Sequence, residues 1–381
     1  MRGADQVMHS GEGRKGRIPM GQGGEFDLIR RLMGPDSGLP PEVLLGPGDD
    51  CAVFEGGWVL STDLFVEGVH FKRNWITLEE AGFRATAAAL SDLAAMAARP
   101  VGVLLSLALD PTEFAADGVL LQRGAGEICE LVGTQILGGD LSRSPGPVFV
   151  NVVALGRTES PVSRAGTGAG DELWVTGRLG GSAGALAFWN RGEEPPGVLR
   201  ECFARPQPRI REAQWLADRV ELHGLIDLSD GLAGDAGHLA AASGLAITLE
   251  SLAIPGHPSL GEVMGSSLRM DSAGGGALAV PDEPARASEA PQEGEAPVPD
   301  EALQEYLRLV LAGGEDFELA FTVPSGALDD WVDSFQDTFG IPVTRVGRAE
   351  PGDGVRIRGL QGKTTLLNEK GFSHFPSEED L

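Results

Sequence analysis

The stretch that decides the fold is residues 46–71, which read GPGDDCAVFEGGWVLSTDLFVEGVHF. Two apolar runs lie within it, Cys51 to Phe54 and Trp58 to Leu60, and each is typical of a short strand. The glycines of Glu55-Gly56-Gly57 predict the turn that joins them. We therefore expect a strand pair here, at one edge of a small sheet.

This strand pair carries three aspartates. A glycine turn places Asp49 and Asp50 at the start of the first strand, and we expect Asp63 just past the end of the second. Each of them could simply cap a turn, which is the usual role of Asp beside Gly. Carboxylates brought together repel, however, and a hard cation such as Mg²⁺ relieves that repulsion. At this point both interpretations stay open.

Length and composition predict two domains and two segments outside them. A chain of 381 residues is too long for one typical core. A glycine-rich loop separates a first half, residues 24–160, from a second half, residues 161–381. Residues 1–23 are polar and glycine-rich, and a segment of about 271–301 is dominated over its later part by Pro, Glu, Asp and Ala. We expect a disordered tail and a disordered acidic insert there.

Apolar periodicity predicts about four strands and two long helices in the first half, in an alternating α/β order. The helices run from Leu78 to Ala98 and from about Glu113 to Leu131, and a strand beginning at Gln135 ends at Asp140. In the second half, an apolar strand ends at Asp227 and leads into a helix of about Leu232 to Ala242. The predicted fold class is therefore α/β (α+β).

Charge and cysteine usage limit the partners. The chain has 56 acidic and 30 basic residues and a formal charge of -26, so its surface repels nucleic acid and anionic membranes. No apolar run approaches the ~20 residues of a membrane span. The three cysteines form no Cys-x-x-Cys pair, which suits a reducing compartment. We expect a cytoplasmic protein with no nucleic-acid and no membrane partner.

Aspartates recur in both halves at the same kind of position. Each sits at a predicted strand end, in a glycine turn or late in the Ala-rich helix. They are Asp49, Asp50, Asp63, Asp92, Asp140, Asp227 and Asp230. Asp92 needs a partner in so apolar a helix, and Arg84, Arg99 or a metal would serve. A site of Asp, Ser, Thr and Gly suits phosphoryl transfer, so the pattern predicts a Mg²⁺-dependent phosphate enzyme.

The motifs together resemble the thiamine-monophosphate kinase family, which is similar to aminoimidazole ribonucleotide synthetase. In chain order they are Gly-x-Gly-Asp-Asp (46–50), Ser-Thr-Asp-x-x-Val-Glu-Gly-x-His-Phe (61–71), Ser-Asp-Leu-Ala-Ala-Met (91–96), Gly-Gly-Asp (138–140), Gly-Asp-x-x-x-Val-Thr-Gly (170–177), Asp-x-Ser-Asp-Gly-Leu (227–232) and Gly-Gly-Glu-Asp-x-Glu-Leu (313–319). Leu141 departs from the family pattern, which usually has a threonine there.

The resemblance implies a two-domain fold like that of aminoimidazole ribonucleotide synthetase. Its N-terminal sheet domain would form a homodimer, and its C-terminal domain would be α/β. The implied activity is ATP-dependent phosphorylation of thiamine monophosphate to thiamine diphosphate, by direct in-line transfer assisted by several Mg²⁺ ions. Another ATP-using member of the superfamily, or an acidic metal-buffering protein, is the alternative.

The resemblance also implies roles for individual residues. The metal positions would be Asp50, Ser61, Thr62, Asp63, Asp92, Asp140, Asp227 and Asp230. The nucleotide would be bound by Gly139, Asp140, Arg164 and Ser229, and thiamine monophosphate by His70, Glu315 and Phe372. Glu315 could offset the positive charge of the thiazolium, whereas His70 and Phe372 could instead be structural residues.

Overall fold

The computed structural model describes residues 24–33, 38–263, 300–359 and 362–367. The predicted tail, the predicted insert apart from its last two residues, and Phe372 lie outside these ranges. The helices are α1 (Gly24–Met33), α2 (Leu78–Ala95), α3 (Phe114–Leu131), α4 (Gly181–Asn190), α5 (Gly197–Ala204), α6 (Ile210–Ala217), α7 (Leu232–Ser243), α8 (Leu260–Val263), α9 (Asp300–Leu311) and α10 (Val332–Phe339). None of these described helices is long and apolar enough to cross a membrane.

The strands form two mixed sheets. They are β1 (Val43–Leu45), β2 (Ala52–Phe54), β3 (Trp58–Val66), β4 (Arg99–Leu109), β5 (Ile136–Arg143), β6 (Phe149–Arg157), β7 (Glu172–Thr176), β8 (Gly224–Asp227), β9 (Ala246–Glu250), β10 (Leu319–Val323), β11 (Val343–Glu350), β12 (Gly354–Arg358) and β13 (Thr364–Leu366). The first sheet has the order β1-β2-β3-β6-β4-β5, and the second has the order β13-β12-β9-β11-β7-β10-β8. The predicted α/β class is confirmed, while the predicted boundary between residues 160 and 161 stays a prediction.

Helix α2 packs on the first sheet and against α3 in direct backbone contact. A Cβ added at Gly82 would lie 2.0 Å from the carbonyl oxygen of Leu121, and one added at Gly124 would lie 1.7 Å from that of Glu79. Only glycine permits so close an approach. The two helices are therefore fixed relative to each other, and α2 carries Asp92 close to its C-terminal end.

The limits of α2 follow from its sequence. Thr77 accepts a hydrogen bond from the backbone N–H of Glu80, whose side chain in turn accepts from the backbone N–H of Thr77. The helix ends at Ala95, three residues before the predicted end. The chain leaves it through Ala97, which has a left-handed φ of 51°.

Three strand predictions are wrong. Asp63 lies within β3, because the alternation of inward and outward side chains continues through Phe65 to Val66. Asp140 lies within β5, which continues to Arg143. The first sheet has six strands rather than about four. One of the additional strands, β1, has only three residues and is too short to show a periodic pattern.

The second sheet is covered by helices on both faces. Leu239 of α7 and Leu309 of α9 belong to the apolar cluster on one face. On the other face, Trp215 of α6 packs edge-on against Phe335 of α10. Strand β8 is short and buried throughout, and it ends at Asp227 as predicted. The turn after it leads directly into α7.

Candidate active site

Three aspartates from three separate elements meet between the two sheets. Asp50 comes from the turn before β2, Asp92 from the end of α2 and Asp227 from the end of β8. One carboxylate oxygen from each lies within 4.8 Å of the other two, close enough to bind one metal ion. The sequence predicted this convergence although the residues are far apart in the chain.

Burial and mutual repulsion raise the pKa values of Asp92, Asp227 and the neighbouring Asp63. The pKa of Asp92 lies well above its ordinary value because the side chain is buried and because Asp63, Asp227 and Asp50 are close. Asp227 is shifted in the same direction, first by burial and then by Asp50. Burial and Asp50 also raise the pKa of Asp63 to about 6. Such a cluster favours a bound cation, because a cation removes the cost of the negative charges.

The side chain of Arg164 places one positive charge next to the negative charges of the acidic cluster. Its Nη2 lies 2.6 Å from Asp50 Oδ1 and its Nε lies 3.1 Å from Asp50 Oδ2, so the pair is bidentate. Its backbone N–H also donates to Asp49. Burial by itself would lower the pKa of Arg164, but Asp50 and Asp49 outweigh it and the pKa is raised. Arg164 therefore links the segment between β6 and β7 to the turn that carries Asp49 and Asp50.

The predicted residues on β3 divide between the two faces of the sheet. Ser61 and Asp63 point to the buried face, where the Ser61 hydroxyl donates to Asp92 Oδ2. Thr62 points to the opposite, outer face and accepts from Asn151 at 3.0 Å. Of these three residues, the structure brings Ser61 and Asp63 to the acidic cluster but not Thr62.

Asp140 also points away from the cluster. It is exposed and lies in the same row of the sheet as Ser106, Asn151 and Leu64, on the outer face. The register places β5 three strands from β3, which corresponds to about 14 Å at about 4.8 Å per strand. Within one protomer, Asp140 is therefore not brought together with Asp63.

Gly139, beside Asp140, has a structural reason to be glycine. A Cβ there would lie 1.7 Å from the carbonyl oxygen of Leu105 on β4, and φ is +157°. The pairing of β5 with β4 therefore requires a glycine at this position. Its predicted contact with ATP stays a prediction.

A second group of ligand atoms lies at the start of α7. Asp230, Asp235 and His238 each place one ligand atom within 4.8 Å of the other two. Asp235 accepts from the backbone N–H groups of Asp230 and Gly231. Burial, then Arg164, lowers the pKa of His238 to about 4, so its imidazole is neutral at pH 7. Of these three residues, only Asp230 was predicted from the sequence. The i, i+3 spacing of Asp235 and His238, which puts both side chains on one face of the helix, could have predicted this group from the sequence.

His70 lies in the turn that follows β3. Its Nδ1 accepts a hydrogen bond of 3.0 Å from the backbone N–H of Val66, and its ring packs against Phe65 with centroids 4.9 Å apart. This bond leaves Nε2 as the nitrogen that carries the proton in the neutral ring. The structure thus gives His70 a turn-stabilising role, and its contact with substrate stays a prediction.

The segment 313–318 runs beside the turn that follows Asp227. The backbone N–H of Glu315 donates to the carbonyl of Ser229 at 2.8 Å, and that of Phe317 donates to Leu228 at 2.9 Å. These bonds bring the predicted residues Ser229 and Glu315 to the same part of the cleft. Glu315 and Phe317 both have left-handed backbone, with φ values of 67° and 51°.

The comparisons with known proteins agree with this geometry. Residues 48–158 match the model of the AIR synthase related protein, N-terminal domain, and residues 168–359 match that of the C-terminal domain. A thiamine-monophosphate kinase of Rhodopirellula baltica is 32% identical over 355 residues, which are 88% of this chain and 92% of that protein. The chain belongs to the thiamine-monophosphate kinase family. The predicted family and two-domain fold are confirmed.

Further members of the thiamine-monophosphate kinase family match over nearly their whole length. The Escherichia coli K12 enzyme is 32% identical over 374 residues, covering 92% of this chain and 98% of that protein. Among solved structures, AaThiL complexed with AMPPCP and TMP has a TM-score of 0.70 and 28% identity, covering 92% of this chain and 97% of that one.

Proposed function

We propose that this chain transfers the γ-phosphoryl group of ATP to the phosphate of thiamine monophosphate, giving thiamine diphosphate and ADP. The observation that carries the proposal is the meeting of Asp50, Asp92 and Asp227 in a member of this family. A family structure complexed with AMPPCP, an analogue of ATP, and TMP supports the two substrates. The negative charges of both substrates then require the cations that this cluster would hold.

The residues of the cluster fit Mg²⁺. They offer carboxylate oxygens, which Mg²⁺ prefers, and the raised pKa values of Asp92 and Asp227 are what poorly compensated buried charges produce. We propose that Asp50, Asp92 and Asp227 hold Mg²⁺ beside Asp63 and Ser61, and that Asp230 with Asp235 holds a further ion. Bound Mg²⁺ would neutralise charge on the phosphate oxygens. The metal roles of Thr62 and Asp140 stay predictions.

The chemical step needs no basic residue from the protein. The acceptor oxygen belongs to a phosphate that is already ionised at neutral pH, so no proton has to be removed. A bond forms between that oxygen and the γ-phosphorus, the bond from the γ-phosphorus to the bridging oxygen breaks, and ADP leaves with the electron pair. Arg164 would exchange its contact with Asp50 for the nucleotide phosphates, and Ser229 lies on the same side of the cleft.

The homodimer is part of the same proposal. The outer face of the first sheet exposes apolar side chains on β3, β4 and β5. They are Leu64, Leu104 and Leu137, with exposed fractions of 52%, 43% and 50%. A contiguous apolar sheet face of this kind marks an interaction surface. We propose a second copy of the chain as its partner.

One assay tests the proposed activity. Purified protein is incubated with ATP, Mg²⁺ and thiamine monophosphate, and thiamine diphosphate is measured by chromatography. Thiamine and an aminoimidazole precursor serve as control acceptors, because they separate this activity from those of other superfamily members. We expect product only with thiamine monophosphate and none in excess EDTA. Turnover of the aminoimidazole precursor alone would overturn the proposal.

A further inference from the structure

Arg84 is a charged residue of α2 with none of its surface exposed. Its Nη2 lies 2.7 Å from Glu315 Oε1, and its Nη1 donates to the carbonyl oxygen of Phe203. The guanidinium also lies 3.8 Å from the centre of the Phe203 ring. A buried arginine needs such partners for its charge. Arg84 therefore joins a helix of the first sheet to the segment 313–318 beside the second.

Glu315 is held at three separate points. Its backbone N–H donates to Ser229, the Ser182 hydroxyl donates to its carbonyl oxygen at 2.7 Å, and its carboxylate pairs with Arg84. Its left-handed φ of 67° is a strained conformation for glutamate. The Glu315 side chain nonetheless keeps 26% of its surface exposed. The ion pair thus holds the carboxylate beside Arg84 while part of the side chain stays exposed.

We propose that Arg84 is a positioning residue for the acceptor substrate, which acts by orienting the carboxylate of Glu315. The inference rests on the proposed function and on the contact between Glu315 and thiamine monophosphate that the family resemblance implies. Because Arg84 already balances the charge of Glu315, the carboxylate acts as an oriented acceptor of hydrogen bonds. We propose this role for Glu315 in place of the thiazolium counter-ion that the resemblance implied.

Removal of Arg84 has a specific consequence for substrate binding. Without the guanidinium, the carboxylate of Glu315 can rotate, and binding of the acceptor must then order it. Among the described contacts Arg84 has no hydrogen bond or ion pair with Asp50, Asp92 or Asp227, so we expect nucleotide binding to be unaffected. The expected change is therefore selective for one of the two substrates.

The experiment compares Arg84→Met and Arg84→Lys with the wild-type protein. Methionine retains an apolar stem against Phe203, and lysine restores one charged donor. For Arg84→Met we expect the KM for thiamine monophosphate to rise about tenfold, with the KM for ATP within about twofold of wild type. Calorimetric titration of thiamine monophosphate without ATP should show an equal loss of affinity. Arg84→Lys should recover part of it.

A matched control is Arg200→Met. Arg200 of α5 makes a bidentate pair with Glu80 of α2, at 2.7 and 2.8 Å, so it also connects the two halves of the chain. It makes no contact with Glu315 among the described residues. Arg200→Met should lower the melting temperature and leave both KM values unchanged.

The outcomes separate the two proposals. If the wild-type protein forms no thiamine diphosphate, the proposed function and this inference both fail. If it does, and folded Arg84→Met keeps its KM for thiamine monophosphate, only the positioning role is overturned. Equal changes in the KM values of both substrates would likewise show a merely structural role. Should Arg84→Met fail to fold, Arg84→Lys decides by the same criterion.

Discussion

Replacing Asp63 by asparagine should stabilise the metal-free protein while lowering its kinase activity. Burial, followed by the charge of Asp50, raises the pKa of Asp63 from 3.8 to about 6. Asparagine has nearly the same size without the charge, so it removes the cost of keeping a carboxylate in the cluster. The same substitution removes a proposed contact with Mg²⁺, so turnover should fall by about 100-fold or more.

The magnitude follows from the shift in pKa. A shift of about 2 units corresponds to about 3 kcal/mol at about 1.36 kcal/mol per unit. The folded pKa lies above the unfolded one, so between pH 3.8 and about 6 the native state keeps a proton that the unfolded chain has lost. Stability therefore falls as the pH rises through this window. Relaxation of the cleft reduces the effect, and we expect a gain of about 1–3 kcal/mol at neutral pH.

The assay is thermal unfolding at neutral pH in EDTA and again in Mg²⁺. Asp63→Asn should melt above wild type in EDTA, by about 2–4 °C for each kcal/mol, and Mg²⁺ should raise its midpoint less than it raises that of wild type. Asp353→Asn, at an exposed position, removes an equal charge and is the control. A midpoint for Asp63→Asn in EDTA that is equal to or below that of wild type would refute the reasoning.

Three further substitutions test other parts of the structure. Arg164→Met leaves Asp50 without its bidentate partner. The free energy of unfolding in EDTA should therefore fall by about 2–4 kcal/mol, and an unchanged midpoint of thermal unfolding would contradict this. Gly139→Ala places a Cβ against the backbone of β4, so it should lower the free energy of unfolding by about 2 kcal/mol or more. Gly146→Ala, which has open space around it, should leave the free energy of unfolding nearly unchanged. Leu104→Glu should convert a dimer into a monomer in sedimentation velocity, and a wild-type monomer would show that the proposed interface does not form.

Local signals were enough to predict the acidic cluster. Each of Asp50, Asp92 and Asp227 sits at a glycine turn, a helix end or a strand end, and such positions collect at the edges of packed layers. The same rule failed for Asp63 and Asp140, which were predicted at strand ends but lie within β3 and β5. In a strand with alternating apolar and polar side chains, a polar residue in the middle of the strand is easily taken for its end. Register, which the sequence does not display, decides that Asp63 faces inward and Asp140 faces outward.

The remaining parts of the site depend on contacts between distant segments. No local pattern relates Arg164 to Asp50, which is 114 positions away, or Arg84 to Glu315. The sequence offers Arg84 as a partner for Asp92, but Arg84 lies two turns earlier on α2 and points instead to Phe203 and Glu315. Such pairings arise only when the two halves of the chain are packed.

The backbone contact between α2 and α3 bears on how this protein can vary. Gly82 and Gly124 leave no layer of side chains between the helices that could absorb a larger residue. Any side chain at either position would push α2 along or away from its neighbour, and Asp92 would move with it. Gly82 and Gly124 should thus be as intolerant of replacement as the proposed metal ligands. In a mutational scan, their variants should lose affinity for the proposed magnesium ion as well as yield of folded protein.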